Sequence, residues 1–358
     1  MKKKHLLQLC IGILISAAAL WYVFHGIPIQ EFFGAFKTFK YIWLLPALAV
    51  FYFGIWLRGL RWRWLFRPNY DVPLRYTVGG IFICFAFNSI FPARAGEFAR
   101  AYLVGKRGKT GFSTAFATVV SERLLDGITI LVLFVAAFFG AQKSLIAPDQ
   151  VNEVTVLGKT ITFKGVQIMA SVKTMVMLCM ILIAGIVAVS IPTTRGWMLK
   201  ILHVFKFIPA TFRNKIEALI HRFAEGLSAL KDPKRLFGLG ILSLIIWLTN
   251  AWSMMLIAWG FGLEISPAQS LALLFIASVF VSMSPTPGYW GFFEAGMVIG
   301  VSLLLGIDAK DPRLVSYAIF THLTQWIPIV LIGLPWAWAS HVSVGEAETA
   351  EAEAEQNI

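Results

Sequence analysis

The chain has 358 residues, of which 58% are hydrophobic and 14% charged, with a formal net charge of +12 and a mean hydropathy of +0.74. Soluble domains carry about a quarter charged residues, so this composition excludes a soluble protein and marks an integral membrane protein. The basic residues are scattered among apolar stretches, which excludes a nucleic-acid partner, and Cys10, Cys84 and Cys179 all lie in apolar runs, which excludes a disulfide framework or a paired-cysteine metal site.

Crossing the hydrocarbon core takes roughly 20 apolar residues. Six stretches qualify: 6–24, 41–57, 113–139, 173–191, 236–260 and 314–340. The first follows a basic start and runs to Phe24 without a small-x-small cleavage site, so it reads as a retained span and not a removed leader. Residues 27–40, with Phe32, Phe33, Phe36 and Phe39, read as an amphipathic segment outside the membrane. At the end of the second span Arg58, Arg61 and Arg63 alternate with Trp56, Trp62 and Trp64, the pattern of an interfacial anchor.

Next comes an apolar stretch, 74–105, broken at its centre by Asn88, Pro92, Arg94, Gly96 and Glu97. The third span carries Glu122, Arg123 and Asp126. An Arg or Asp at mid-bilayer costs about 2.5–3.5 kcal/mol, so these groups must face the protein interior and pair, Arg123 with Glu122, Asp126 or Glu97. Residues 141–172 form an external loop whose segment 154–163 has the composition of a β-hairpin. After the fourth span, 196–235 places apolar residues at helical spacing among Lys and Arg, as in helices lying in the interface.

A second broken stretch, 269–305, holds Ser284, Pro285, Thr286, Pro287, Gly288, Gly291 and Glu294. The sixth span carries Thr321, His322, Thr324 and Gln325, and the acidic tail 342–358 reads as disordered. Lys and Arg concentrate on the cytoplasmic side of short loops. With both termini cytoplasmic and the broken stretches re-entrant, 22 basic residues fall inside, 8 outside, and Arg123 within a span. The expected location is the plasma (inner) membrane.

In that topology 236–341 is 41–140 turned upside down. The offsets agree: 197 residues from 41 to 238, 195 from Pro92 to Pro287, and 201 from 113 to 314. The expected fold is therefore all-α and polytopic, six full spans plus two re-entrant helical hairpins arranged as an inverted repeat. Its units are 1–40, repeat A at 41–140, the intervening 141–235, repeat B at 236–341, and the tail.

Lipid tolerates broken backbone only where protein or a water-filled cavity satisfies it. Each break starts a new half-helix, whose N-terminus favours phosphate or carboxylate. Arg94 adds a bidentate donor to such an anion seat, and Asn88, Ser284 and Thr286 add neutral donors. Gly96, Pro287 and Gly288 allow the turns; the alternative is that they only turn the hairpins while Arg94 reaches the headgroups. Glu97 and Glu294 can balance a buried Arg, carry a proton or meet a cationic headgroup, and His322 and Gln325 complete the polar set. No enzyme signature emerges: the run Gly105 to Thr110 lacks a phosphate loop's first glycine, since position 103 is Leu, and there is no metalloprotease pair. Neither enzyme activity nor a cofactor is expected.

Four ordered motifs resemble one known family: Arg58 to Trp62; Asn88, Pro92, Arg94, Gly96, Glu97 and Arg100; Glu122, Arg123 and Asp126; and Ser284, Pro285, Pro287, Gly288, Gly291 and Glu294. Over 41–340 the chain is similar to the flippase-like transmembrane region of lysylphosphatidylglycerol synthases. The resemblance implies a domain that moves aminoacylated phospholipid, or another lipid, between leaflets. Only 18 residues follow position 340, so neither the soluble domain that lysylates lipid nor lysylation itself is expected. Family members also accompany glycosyltransferases of polyprenyl lipids. The expected partner is thus a membrane phospholipid or polyprenyl-phosphate lipid, with a homo-oligomer or a lipid-modifying enzyme as further partners. The alternative is a non-transporting subunit that recruits such an enzyme.

Overall fold

The computed structural model describes residues 3–67, 69–91, 95–141, 151–156, 159–164, 191–204 and 232–341, with scattered positions between 177 and 220. Arg94, nearly all of the expected fourth span and the acidic tail lie outside the described residues.

Two helices, α1 (Lys3–Phe24) and α2 (Ile29–Thr38), open the chain and meet at a 77° bend at His25 to Pro28. Four follow in sequence: α3 (Leu44–Phe66), α4 (Leu74–Ile90), α5 (Ala95–Arg107) and α6 (Phe112–Ala141). An antiparallel hairpin of β1 (Val151–Val156) and β2 (Lys159–Lys164) stands where the β-rich composition places it, and α7 (Pro192–Val204) begins the basic segment. The second group is α8 (Pro233–Gly260), α9 (Pro267–Met283), α10 (Phe292–Leu305) and α11 (Pro312–Ala339).

The second group starts on strong local signals. Asp232, Ser266 and Asp311 cap α8, α9 and α11 through side-chain oxygens, and each is followed by a proline at the first helical position. Ser266 and Gln269 complete a reciprocal capping box.

Among the described residues four segments are long and apolar enough to cross a membrane: Tyr41–Phe66, Pro233–Gly260, Pro287–Leu305 and Pro312–Ala339; the bent pair α1 and α2 makes a fifth. Helix α6 has the length, at 30 residues, but carries Glu122, Arg123 and Asp126. The apolar helices α4 and α9 have 17 residues each, about 25 Å, which is short of the roughly 30 Å hydrocarbon core. Each folds back on the helix that follows it, α4 on α5 and α9 on α10.

The axis of the molecule is the pair α3 and α8, which approach so closely that a Cβ on Gly54 would lie 2.3 Å from Thr249 Oγ1. Around it α3 packs on α4 and α8 on α9, α5 on α6 and α10 on α11, α4 on α11 and α9 on α6. One core gathers Phe51, Ile55, Trp62, Ile81, Val104 and Val119; another gathers Met254, Ile257, Leu273, Met297, Val301 and Tyr317. Pro328 inside α11 deprives the Thr324 carbonyl of its helical donor. The Tyr52 hydroxyl of α3 replaces it, donating to Thr324 O at 3.1 Å and Gln325 O at 3.2 Å.

Candidate functional site

An ionic cluster fills the space between α3, α5, α6 and α8. Arg58 and Arg61 sit one turn apart on α3, so both point at α6, where Glu122 and Asp126 are four residues apart on one face. Arg61 Nη2 lies 3.2 Å from Glu122 Oε1 and 2.8 Å from Asp126 Oδ1, while its Nη1 donates to Ser243 Oγ at 2.7 Å. Arg58 pairs with Asp126 at 3.3 Å and lies over the Trp247 ring at 5.0 Å. Trp247 Nε1 donates to Asp126 Oδ1 at 3.1 Å. From α5, Arg100 reaches Glu122 Oε2 at 2.8 Å and covers the Trp62 ring at 4.9 Å.

Burial divides the group. Arg61, Arg100 and Glu122 have no solvent exposure, whereas the Arg123 side chain is 36% exposed and forms the open edge. Arg123 Nη2 is 3.1 Å from Glu122 and 3.5 Å from Asp126, and its Nε is 3.9 Å from Glu97 Oε1. All three partners expected for Arg123 are thus present. Four guanidiniums face three carboxylates, an excess of one positive charge. Arg100 Nε and Nη2 and Arg61 Nε have no hydrogen-bond partner although buried.

The interfacial-anchor reading of Arg58 and Arg61 is corrected here: both are buried and paired, because α6 offers two carboxylates that would otherwise be unpaired in the same space. Of the arginine triplet only Arg63 points outward, where with Arg67 it binds exposed Asp71. The hydrogen bonds from Arg67 and Arg63 hold the Asp71 carboxyl below its ordinary range.

The first break is held by Asn88, whose Oδ1 accepts from Gly96 N at 2.9 Å and so caps α5, and whose Nδ2 faces Cys84 Sγ at 3.8 Å. Gly96 is required there, since a Cβ would fall 1.9 Å from the Cys84 carbonyl oxygen. In the second break Ser284 Oγ and Thr286 Oγ1 are 2.8 Å apart, Pro287–Tyr289 forms a 3-10 turn with Gly288 at φ +66°, and Gly291 N donates to Glu294 Oε2 at 2.7 Å. That turn rests on α4: a Cβ on Gly288 would lie 2.9 Å from the Ser89 carbonyl oxygen. The two breaks therefore meet at the end of α4, and α1 backs the second one, with Gly12 against Pro287.

Glu294 is fully buried, and its Oε1 lies 2.5 Å from His322 Nδ1. The His322 ring stacks on Trp290 at 4.2 Å and touches Phe293 at 4.8 Å. Gln325, half-buried, lies one turn further along α11. The structure thus joins Asn88 with Gly96, joins Glu97, Glu122, Arg123 and Asp126, and joins Glu294 with His322; Gly288 touches the first break, and Ser284 is linked to its own turn. Arg58, Arg61, Arg100, Ser243 and Trp247 were missed as site residues. The signal for two of them is the Arg-x-x-Arg spacing opposite the Glu-x-x-x-Asp spacing of α6. Among the described residues no three His, Cys, Asp or Glu side chains gather to hold a metal.

Residues 9–333 match the family described as lysylphosphatidylglycerol synthase TM region. The glycosyltransferase AglD of Haloferax volcanii is 25% identical over 323 residues, 87% of this chain and 51% of that protein, so the chain spans about half the length of that relative. A UPF0104 membrane protein of Pyrococcus horikoshii is 24% identical over 353 residues, 93% of this chain and 96% of the other. One from Methanothermobacter thermautotrophicus is 25% identical over 313 residues, 84% and 85% of the two chains. No solved structure matches the sequence.

Proposed function

The chain belongs to the lysylphosphatidylglycerol synthase TM region family, and we propose that it is a translocator that moves a phosphate-bearing lipid between the leaflets of the plasma membrane. The observation that carries this reading is the meeting of the two breaks at the end of α4, beside a buried cluster with one excess positive charge whose open edge is Arg123. A phosphate entering there finds the partly exposed Arg123 side chain and the N-termini of two half-helices, α5 and α10, while the acyl chains stay in lipid. Glu97 is one of the three carboxylates that offset the cluster's charge, and Glu294 is offset by His322.

The framework for alternating exposure is an inverted repeat. Exchanging α3 with α8, α4 with α9, α5 with α10 and α6 with α11 turns each of the packing pairs around the central axis into another of them. Glu97 and Glu294 are each the third residue of their half-helix, and each pairs with the helix that follows, at Arg123 and His322. We read α4–α5 and α9–α10 as hairpins dipping from opposite faces, with both termini cytoplasmic. The lipid is not altered in this reading. The glycosyltransferase named among the relatives keeps polyprenyl phosphate beside phospholipid as a cargo.

A second reading is favoured by the complete burial of Arg61, Arg100 and Glu122. Such pairs can simply lock helices, as in a non-transporting subunit that recruits a lipid-modifying enzyme. Leaflet exchange separates the two. In vesicles carrying fluorescent phosphatidylglycerol, a cationic aminoacyl phospholipid or polyprenyl phosphate, the wild type accelerates exchange of at least one, and Arg123→Ala lowers that rate about tenfold or more, with partial rescue by Arg123→Lys. Equal background rates for wild type and Arg123→Ala with all three lipids would refute translocation and leave the subunit reading.

A further inference from the structure

We infer that Glu294 and His322 form a proton-binding site that couples lipid movement to the proton gradient; this rests on the translocation reading above. The two half-helices carry their glutamates at equivalent places but give them different partners. Glu97 faces Arg123, which is always charged, whereas Glu294 faces a histidine, the side chain whose charge changes between about pH 5 and 8.

The geometry fixes what a proton does there. With Nε2 also protonated, one proton shared between Nδ1 and Oε1 across 2.5 Å makes the pair neutral overall. Without it, a net negative charge would sit at full burial against the Trp290 and Phe293 rings, which is strongly disfavoured. A second proton makes the carboxyl neutral and the imidazole cationic, and the acceptor that Glu294 Oε2 offers to Gly291 N weakens. Gly291 begins α10 and ends the turn whose Gly288 rests on Ser89, so the second proton loosens the junction between the breaks. An anionic phosphate at that junction favours this proton, and its departure releases it. One proton is therefore taken up on one side and given up on the other for each lipid moved.

Helix α9 has no titratable side chain and α10 has only Glu294. Tyr52 of α3 and Tyr317 of α11 donate to backbone carbonyls; Arg58 and Arg61 are engaged by α6, Arg63 by Asp71 and Arg313 by Asp311. The other titratable groups on packed elements are Lys3, Lys4, His5, Cys10 and Tyr22 on α1, Glu31 and Lys37 on α2, Arg75, Tyr76 and Cys84 on α4, Lys234 and Arg235 on α8, Glu153 on β1, and Tyr289 in the turn. Among the described residues, His322 is the one cation bonded to Glu294.

The test uses the full chain in vesicles of phosphatidylethanolamine and phosphatidylglycerol, with a pH dye inside and whichever fluorescent lipid the wild type exchanges. Under a clamped pH difference the steady-state leaflet ratio of that lipid should shift by up to about tenfold per pH unit, with proton movement reported by the dye. His322→Gln and Glu294→Gln should both abolish the shift. Exchange that is present in the wild type but indifferent to the pH difference overturns the coupling and leaves translocation standing; no exchange of any tested lipid overturns both. Independently, infrared difference spectra of the purified protein should show a carboxylic-acid band that titrates and is missing in Glu294→Gln. A band that never changes between about pH 5 and 8 overturns the proton site whether or not lipid moves.

Discussion

Like Asp126, which pairs with Arg58, Arg61 and Arg123, Glu122 binds three arginines at once, Arg61, Arg100 and Arg123, and it does so at full burial. Removing its charge leaves buried guanidiniums uncompensated, so Glu122→Gln should cost about 3–5 kcal/mol, read as a lowered melting temperature in detergent. Arg67→Ala, which breaks an exposed contact with Asp71, should change stability by less than about 1 kcal/mol. Tyr52→Phe strips the donor from the Thr324 carbonyl left open by Pro328 and should cost about 1–3 kcal/mol. At this scale the sequence was readable where a rule forces a partner. Ionisable groups inside a span must pair, so Glu97, Glu122 and Asp126 were legible as partners of Arg123. Arg58, Arg61 and Arg100 were not, because an arginine near a span's end looks alike in sequence whether it snorkels outward or turns in. Only the position of α6 decides it.

Among the elements, the half-helices α5 and α10 flank the proposed site and are held by different devices. Asn88 reaches across the first break to cap α5, whereas Glu294 caps its own helix within the second. Closure of α4 on α5 needs Gly96. Gly96→Ala should destabilise by about 3 kcal/mol or more, because the clashing atom is backbone and cannot swing away. Gly127→Ala, with nothing within 4 Å of its Cβ, should be neutral or slightly stabilising; paired thermal melts check both. The breaks themselves were legible from Pro, Gly and polar residues inside apolar runs. That the 287–289 turn sits on Ser89 was not, since nothing local in either segment encodes which surface the other meets.

Taken as a whole, the molecule repeats its packing pairs across the α3 and α8 axis, and the sequence foreshadowed this only in the near-constant offset of its breaks and spans. The orientation proposed from the distribution of basic residues is open to test. A cysteine at Asp71 should react with an impermeant maleimide only when the inner face is opened, and one at Asp308 should react from outside intact cells.

The central claim, that a lipid headgroup lodges where the breaks meet, is tested most directly by photolabelling in native-like membranes. A phospholipid with a diazirine beside its phosphate is crosslinked and the modified peptides are identified by mass spectrometry. The expected labels fall on 88–100, 121–126 and 284–291, and free phosphate-bearing lipid competes them away. Labels confined to the basic loops, such as 67–75 and 192–204, with none at Ser89, Arg123 or Trp290, would contradict it.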